Sequence, residues 1–325
     1  MILRGINFGP VWGASGVQGF FGEGYWYHPW LRPIGLNFQD MTFVAKTTTL
    51  HAQMGNMPMR ADGITPVEHS PSCIAVRPLK GVALNAVGLS GPGAGALLDQ
   101  GIWQSMPYPF LLSFMSVAQT LELRLDELRA FVHLLAAARR DFVSPFGLQL
   151  NVSCPNVDVA HASDDLAFEL TNALDIAAKL DIPLIPKLNV LAPLSIVPVL
   201  ERHPACDGVC ISNTLPWHSL PNEVDWDRLW SNGSPLIARG LKAPGGLSGR
   251  PLLPLVKRWV EAAREISPSL LINAGGGILS PADALVLLRA GANSIFIGSM
   301  AFLRPWNVAR TIRAVHVWAN HRGIE

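Results

Sequence analysis

Charge is scarce in this chain. Only 15% of the residues are charged, 25 basic against 24 acidic, and the net charge is +1. No run of like charge stands out, so the electrostatic footprint of a nucleic-acid partner or an anionic membrane surface is missing. Cysteine is scarce too: Cys73, Cys154, Cys206 and Cys210 have neither the spacing of a disulfide framework nor that of a metal site. Cys206 and Cys210 flank the strand-like DGV and read as reduced thiols of a cytoplasmic protein. The start, MILRGINFGPVWG, has no charged-then-apolar signal pattern. Nor is there a long unbroken apolar run. Residues 182–200 hold Lys187 as their one charge but are cut by Pro183, Pro186, Pro193 and Pro198. That pattern suits a strand, a loop and a helix start rather than a membrane span.

Apolar side chains are plentiful: 49% of 325 residues are hydrophobic, enough for a large core. The length fits one (β/α)₈ barrel with insertions. Short β-rich runs alternate with helical patterns, which predicts βαβ units around a parallel sheet. Strands are expected over 11–15, 42–47, 82–87, 110–115, 148–153, 184–188, 208–213, 270–274 and 294–298. Several are nearly all apolar, as strands buried on both faces are. Leu125, Leu128, Val132 and Leu135 form one helical stripe; Leu166, Leu170, Leu174 and Ala177 form another. Ser280, Pro281 and Gly291 mark the cap, first turn and stop of a third helix. The strand candidates exceed a barrel's eight positions by one. The run 82–87 is therefore assigned to an excursion after the second strand, together with the aperiodic 50–80. With no linker or repeat visible, one domain over 1–325 is expected; a doubly wound open sheet is the alternative architecture.

In a parallel barrel, chemistry gathers where strands end. The ends here read Ala14-Ser15-Gly16-Val17, Lys46-Thr47-Thr48, Asn151 to Asn156, Lys187, Asn213-Thr214, Gly275-Gly276-Gly277 and Gly298-Ser299, with Asn85 in the excursion. Two glycine-rich ends on the last two barrel strands, one leading into the helix capped by Ser280, suit a phosphate and hence a mononucleotide cofactor. A tight turn alone would also use glycine. A lysine in an apolar strand is costly to bury unpaired. Lys46 and Lys187 together suggest a positive site for an anion or an electron-rich ring, such as the pyrimidine edge of a reduced flavin; a salt-bridged or surface-directed lysine is the plainer reading of each. Asn85, Asn151, Asn156 and Asn213 offer donors and acceptors matched to a pyrimidine, although each alone reads as a turn or cap residue. Cys154 precedes a mostly polar loop. Its thiol suits a general base or a nucleophile, or simply a small buried side chain, and the residue alone does not separate these.

Taken together, GASGV, FVAKTTTL followed by GN, ALNAVGL with GPG, NVSCPN, PKL, ISNT, GGLSG, INAGGGI and IFIGS resemble the dihydroorotate dehydrogenase family, in that family's order from residue 13 to residue 299. NVSCPN with ALNAVGL is the specific part; the terminal glycine strings are shared with other flavin and phosphate barrels. The resemblance implies a (β/α)₈ barrel with insertions at its carboxyl face, where FMN binds, and oxidation of (S)-dihydroorotate to orotate in pyrimidine biosynthesis. It implies substrate contacts from Lys46, Asn85, Gly88, Leu89, Asn151, Asn156, Asn213 and Thr214. It implies FMN contacts from Ala14, Ser15, Lys46, Thr47, Asn151, Lys187, Gly246, Gly276, Gly277, Gly298 and Ser299, and no metal. Cys154 matches the base, which takes a proton from carbon five while hydride leaves carbon six. Cysteine there marks the soluble classes and serine the membrane-associated class.

No hydrophobic helical extension precedes the barrel, which speaks against the quinone-using membrane class. GGLSG and ALNAVGL look more like the class that passes electrons to an iron–sulfur flavoprotein partner. The chain itself has no iron–sulfur cysteine cluster, and the acceptor stays open between fumarate, NAD through such a partner, and others. A homo-oligomer is expected. The segment 18–32, QGFFGEGYWYHPWLR, is unusually aromatic; it reads as core or dimer contacts, ahead of a lid or a docking surface. Val87 stands where part of the family has methionine. Closure of the loop 157–165 over substrate is left open. The competing readings are a flavin barrel for another dihydropyrimidine, a flavin-free nucleotide barrel using Cys154 on a purine, and a non-catalytic flavin-binding subunit.

Overall fold

The apolar runs are too short for helices and the stripes between them too long for turns, so the chain alternates strand and helix. The computed structural model describes residues 1–152 and 163–322. In chain order the strands are β1 (Ile2–Leu3), β2 (Ile6–Asn7), β3 (Val11–Gly13), β4 (Ile74–Arg77), β5 (Val82–Asn85), β6 (Phe110–Phe114), β7 (Phe146–Asn151), β8 (Leu184–Leu188), β9 (Val209–Ile211), β10 (Leu215–Pro216), β11 (Gly246–Gly249), β12 (Ile272–Ala274) and β13 (Ser294–Ile297). Seven form one parallel sheet in the order β3-β13-β12-β9-β8-β7-β6.

The edges of that sheet, β3 and β6, are joined through residues 42–48. Gly13 N donates to Thr42 O at 2.8 Å, Leu111 N to Phe43 O at 3.0 Å and Thr48 N to Ser113 O at 2.9 Å. The stave expected at 42–47 is therefore in place and closes the barrel, but as separate bridges rather than a regular strand. One reason is visible at its upper end, where Lys46 N turns away from the ladder to donate to Gly19 O at 2.9 Å. The closed barrel, not the open sheet, is the architecture found.

Successive side chains on a strand point to opposite faces. Val11, Phe43, Ala45, Leu112, Leu148, Leu184, Val209, Ile272 and Ile295 belong to one large cluster that also takes in the helical stripes at Leu125, Leu128, Val132 and Leu135 and at Leu166, Leu170, Leu174 and Ala177. The alternate residues, Trp12, Val44, Leu111, Ile185, Cys210 and Phe296, form a second cluster with Met1, Leu3 and Phe8. The first face packs against the helices and the second fills the barrel, with the β1–β2 hairpin packed against it at the amino end. The helix Pro281–Arg289 begins where expected: the Ser280 side chain accepts from Asp283 N at 3.3 Å.

The excursion strands β4 and β5 form a separate antiparallel sheet with β10 and β11 from later in the chain, in the order β10-β11-β5-β4. Asn85, at the end of β5, lies opposite Gly246 on one side and Ile74 on the other. Among the described residues, no helix is long and apolar enough to cross a membrane.

Candidate functional site

Two residues further along five of the staves, the barrel-filling face gives up its apolar side chains. Val44 is followed by Lys46, Leu111 by Ser113, Ile185 by Lys187, Cys210 by Ser212 and Phe296 by Gly298, while β7 contributes Gln149 and Asn151. The period of two thus carries the apolar plug upward into a ring of polar groups at the carboxyl mouth. The ring is bonded within itself. Ser15 Oγ and Thr47 Oγ1 are 2.6 Å apart, Thr47 Oγ1 and Ser113 Oγ 2.9 Å, and Asn151 Nδ2 donates to Thr47 Oγ1 at 3.3 Å. Asn213 Nδ2 donates to Asn151 Oδ1 at 3.0 Å, and Asn213 Oδ1 accepts from Thr214 N at 3.0 Å.

Both predicted lysines are buried, Lys46 at 8% and Lys187 at 7% exposure. The Lys46 ammonium donates to Ser90 O and lies 4.6 Å from the centre of the Phe20 ring. Burial pulls it down to about 8, against the opposing pull of Glu23 and Cys73. Lys187 sits between Asn151 and Cys210 in register, with Nζ 5.9 Å from the Phe296 ring centre. Two buried cations held in one mouth favour a negatively charged or electron-rich guest.

The glycine ends make close approaches that a side chain would block. A Cβ on Gly277, whose φ is +80°, would lie 2.5 Å from Leu253 N, and one on Gly298 would lie 2.9 Å from the Ala14 Cβ. Such turns leave backbone amides open to an anion.

These groups surround one cavity of about 590 Å³. Of the residues predicted for the site, Ala14, Ser15, Lys46, Thr47, Asn85, Gly88, Leu89, Asn151, Lys187, Asn213, Thr214, Gly276, Gly277, Gly298 and Ser299 all line it. Gly88 and Leu89 do so from a left-handed turn, φ +70° and +61°, braced by Asn56 N donating to Val87 O at 2.8 Å. Gly246 is off the wall, buried as the partner of Asn85 in the excursion sheet, while Ser248 and Gly249 of the same strand are on it. Cys154, Asn156 and the loop 157–165, apart from the start of the helix Ser163–Ala177, lie outside the described residues.

The aromatic segment was expected as core or dimer contacts, and only part of it is core. Phe20 is 1% exposed, but Tyr25, Trp26 and Tyr27 line the cavity. Tyr25 donates its hydroxyl to Gly16 O at 2.6 Å and stacks on Tyr27 at 6.0 Å, and Trp26 stacks on His69 at 4.6 Å. Behind them burial takes the His28 imidazole down to about 4, so it is neutral, with Nδ1 accepting from Tyr25 N at 3.3 Å. Excess aromatics directly after the ASGV strand end was the one signal for this wall. The described cysteines are free, and burial pushes Cys73 up to about 11 and Cys206 and Cys210 to about 12. None of the three is primed as a thiolate near neutral pH.

The sequence matches the family described as dihydroorotate dehydrogenase over residues 5–316. The chain is 30% identical over 317 residues to "Dihydroorotate dehydrogenase B (NAD(+)), catalytic subunit" of Latilactobacillus sakei, covering 94% of this chain and 88% of that one. It is 31% identical over 299 residues to "Dihydroorotate dehydrogenase A (fumarate)" of Lacticaseibacillus paracasei, covering 89% and 87%. The fold is similar to the crystal structure of DHODH from Eimeria tenella in complex with ferulenol, with a TM-score of 0.69, 20% identity and coverage of 99% of this chain and 84% of that one. At that identity the likeness is one of fold.

Proposed function

The chain belongs to the dihydroorotate dehydrogenase family, and from that premise we propose an FMN-dependent oxidation of (S)-dihydroorotate to orotate with Cys154 as general base. Dihydroorotate oxidation in pyrimidine biosynthesis is the activity of the family; the cofactor, the base and the residue roles are the finer reading. The observation that carries it is the meeting of Lys46, Lys187, Asn85, Asn151, Asn213 and the glycine turns around one cavity of about 590 Å³. That volume is within the usual range of a small-molecule site.

The donor set fits FMN. Gly276, Gly277, Gly298 and Ser299 offer unobstructed amides for its phosphate, Ala14, Ser15 and Thr47 would pack along it, and Lys187 would face its pyrimidine edge; Gly246 acts through the strand that it pairs. FMN bound there supplies a two-electron acceptor for the hydride that leaves carbon six. The chain's own groups do the rest. Asn85, Asn151, Asn156 and Asn213 hold the pyrimidine ring, with Thr214 and the Gly88–Leu89 turn at its rim. Lys46 neutralises the substrate carboxylate. The Cys154 thiolate removes the proton from carbon five, leaving the carbon–carbon double bond of orotate.

The reading extends to a single FMN-binding domain over 1–325, working in the cytoplasm as a homo-oligomer and passing electrons to an iron–sulfur flavoprotein subunit. The likeness of GGLSG and ALNAVGL to that class supports the partner. Anaerobic mixing of the purified protein with dihydroorotate is the test. A yellow protein whose flavin absorbance bleaches, with orotate released in equal amount, is the expected result; a flavin that stays oxidised sinks the proposal.

A further inference from the structure

Two buried charges stand behind Asn151, outside the cavity that it faces. Arg124, in the first turn of the helix Leu121–Ala138, and Glu169, in the helix Ser163–Ala177, form a two-pronged pair: Nε to Oε1 at 2.8 Å and Nη2 to Oε2 at 2.7 Å. Their side chains are 9% and 8% exposed. Arg124 Nη1 also donates to Gln119 O at 3.2 Å, and Arg124 O accepts from Ser116 Oγ at 2.7 Å. The pair therefore ties the loop after β6 to the helix that follows β7.

A small cavity of about 30 Å³ lies between the pair and the strand ends, walled by Arg124, Glu169, Ser116, Leu150, Asn151 and Val152 among others. Among the described residues, Asn151 alone lines both this cavity and the large one.

A buried ion pair is a poor stabiliser, because desolvation offsets most of its attraction and apolar residues of like volume serve as well. A forked guanidinium–carboxylate contact does fix distance and angle together. The pair is fixed across the small cavity from Asn151, on the helices either side of β7, and Asn151 must reach Thr47 and Asn213 at once. We propose that Arg124 and Glu169 are positioning residues for the reaction: their fork holds the carboxyl end of β7 so that the Asn151 amide keeps its orientation in the Thr47–Asn213 network, and thereby sets the affinity for the pyrimidine ring. The last step rests on the reading of Asn151 as a substrate-holding group.

The test uses the full flavin-loaded chain and the double variant Arg124→Met with Glu169→Leu, which removes both charges of the fork together. Melting temperature and flavin content are expected near the parent's, while orotate binds at least about tenfold more weakly. Adding Asn151→Ala to the double variant then costs little more, because one interaction has already been lost. The side-chain amide signal of Asn151, in protein labelled with ¹⁵N-asparagine and free of orotate, is expected to move. Parental orotate affinity with an unmoved amide signal overturns the proposal. A parent that itself fails to bind orotate sinks the substrate reading instead, and the amide signal then decides the positioning role alone. If the double variant does not fold, Arg124→Lys, which keeps the charge but loses the fork, carries the same two measurements.

Discussion

Asn213 donates through Nδ2 to Oδ1 of Asn151 at 3.0 Å, joining strand ends 62 residues apart in the chain. Each amide fixes the other's orientation, so the two should not act independently. For orotate binding, the losses in Asn151→Ala and Asn213→Ala are expected to sum to more than the loss in the double variant, by about 0.5–3 kcal/mol. Titrating the flavin absorbance of the four proteins with orotate measures this. Strict additivity would mean that the bond seen here plays no part in binding.

Lys46 gives a pH dependence with two opposite slopes. Its folded value is about 8 against an ordinary value of 10.5, through burial. The unfolded chain therefore holds the proton to higher pH than the folded one. The cost of burying the ammonium is fully present below pH 8 and is relieved as pH rises from about 8 towards 10.5, so this group makes the ligand-free protein more stable across that window. With Lys46 as the proposed partner of the orotate carboxylate, orotate affinity should fall as pH rises through 8. Melting curves and orotate titrations between pH 7 and 9.5 follow the two trends, and Lys46→Met should flatten both. An affinity that holds constant to pH 9.5 would remove Lys46 from the anion site.

The two glycine turns should fail differently. Gly277→Ala places a methyl 2.5 Å from a backbone nitrogen at φ +80°, which should cost at least about 1–3 kcal/mol and lower the melting temperature. Gly298→Ala meets only the Ala14 methyl, at 2.9 Å, with φ outside the left-handed region. Its melting temperature should change less while flavin content after purification falls. Full flavin occupancy in Gly298→Ala would argue against a phosphate at that turn.

Cys154→Ala should keep FMN yet slow its reduction by dihydroorotate at least about 10²-fold. Lys187→Ala should act on the other side of the reaction, lowering the flavin's reduction potential or its retention. Stopped-flow bleaching and a redox titration separate the two. Normal reduction in Cys154→Ala would return that thiol to the role of a small buried side chain.

The barrel staves were legible because each is an apolar run ending in polar residues, and the same endings revealed the ring from Ser15 to Ser299. What escaped notice lacks periodicity. The strands β10 and β11, LP and GLSG, are too short and too glycine-rich to register as strands, so the pairing of Asn85 with Gly246 leaves no trace in the sequence. Tyr25, Trp26 and Tyr27 escaped because an aromatic cluster looks alike in sequence whether it packs a core or walls a cavity. The Arg124–Glu169 pair escaped because its members are 45 residues apart and each is ordinary on a helix.

Asn85 owes its position to a sheet drawn from both halves of the chain: Ile74 lies beside it early in the sequence, Gly246 late. A nascent chain leaving the ribosome thus carries β4 and β5 as an open-edged hairpin through about half of its synthesis. The cavity wall that Asn85 lines closes only once Gly249 has emerged to complete β11. If FMN and substrate occupy that cavity, their loading belongs to the nearly finished polypeptide, and truncation products lacking the last quarter of the sequence are expected to be colourless.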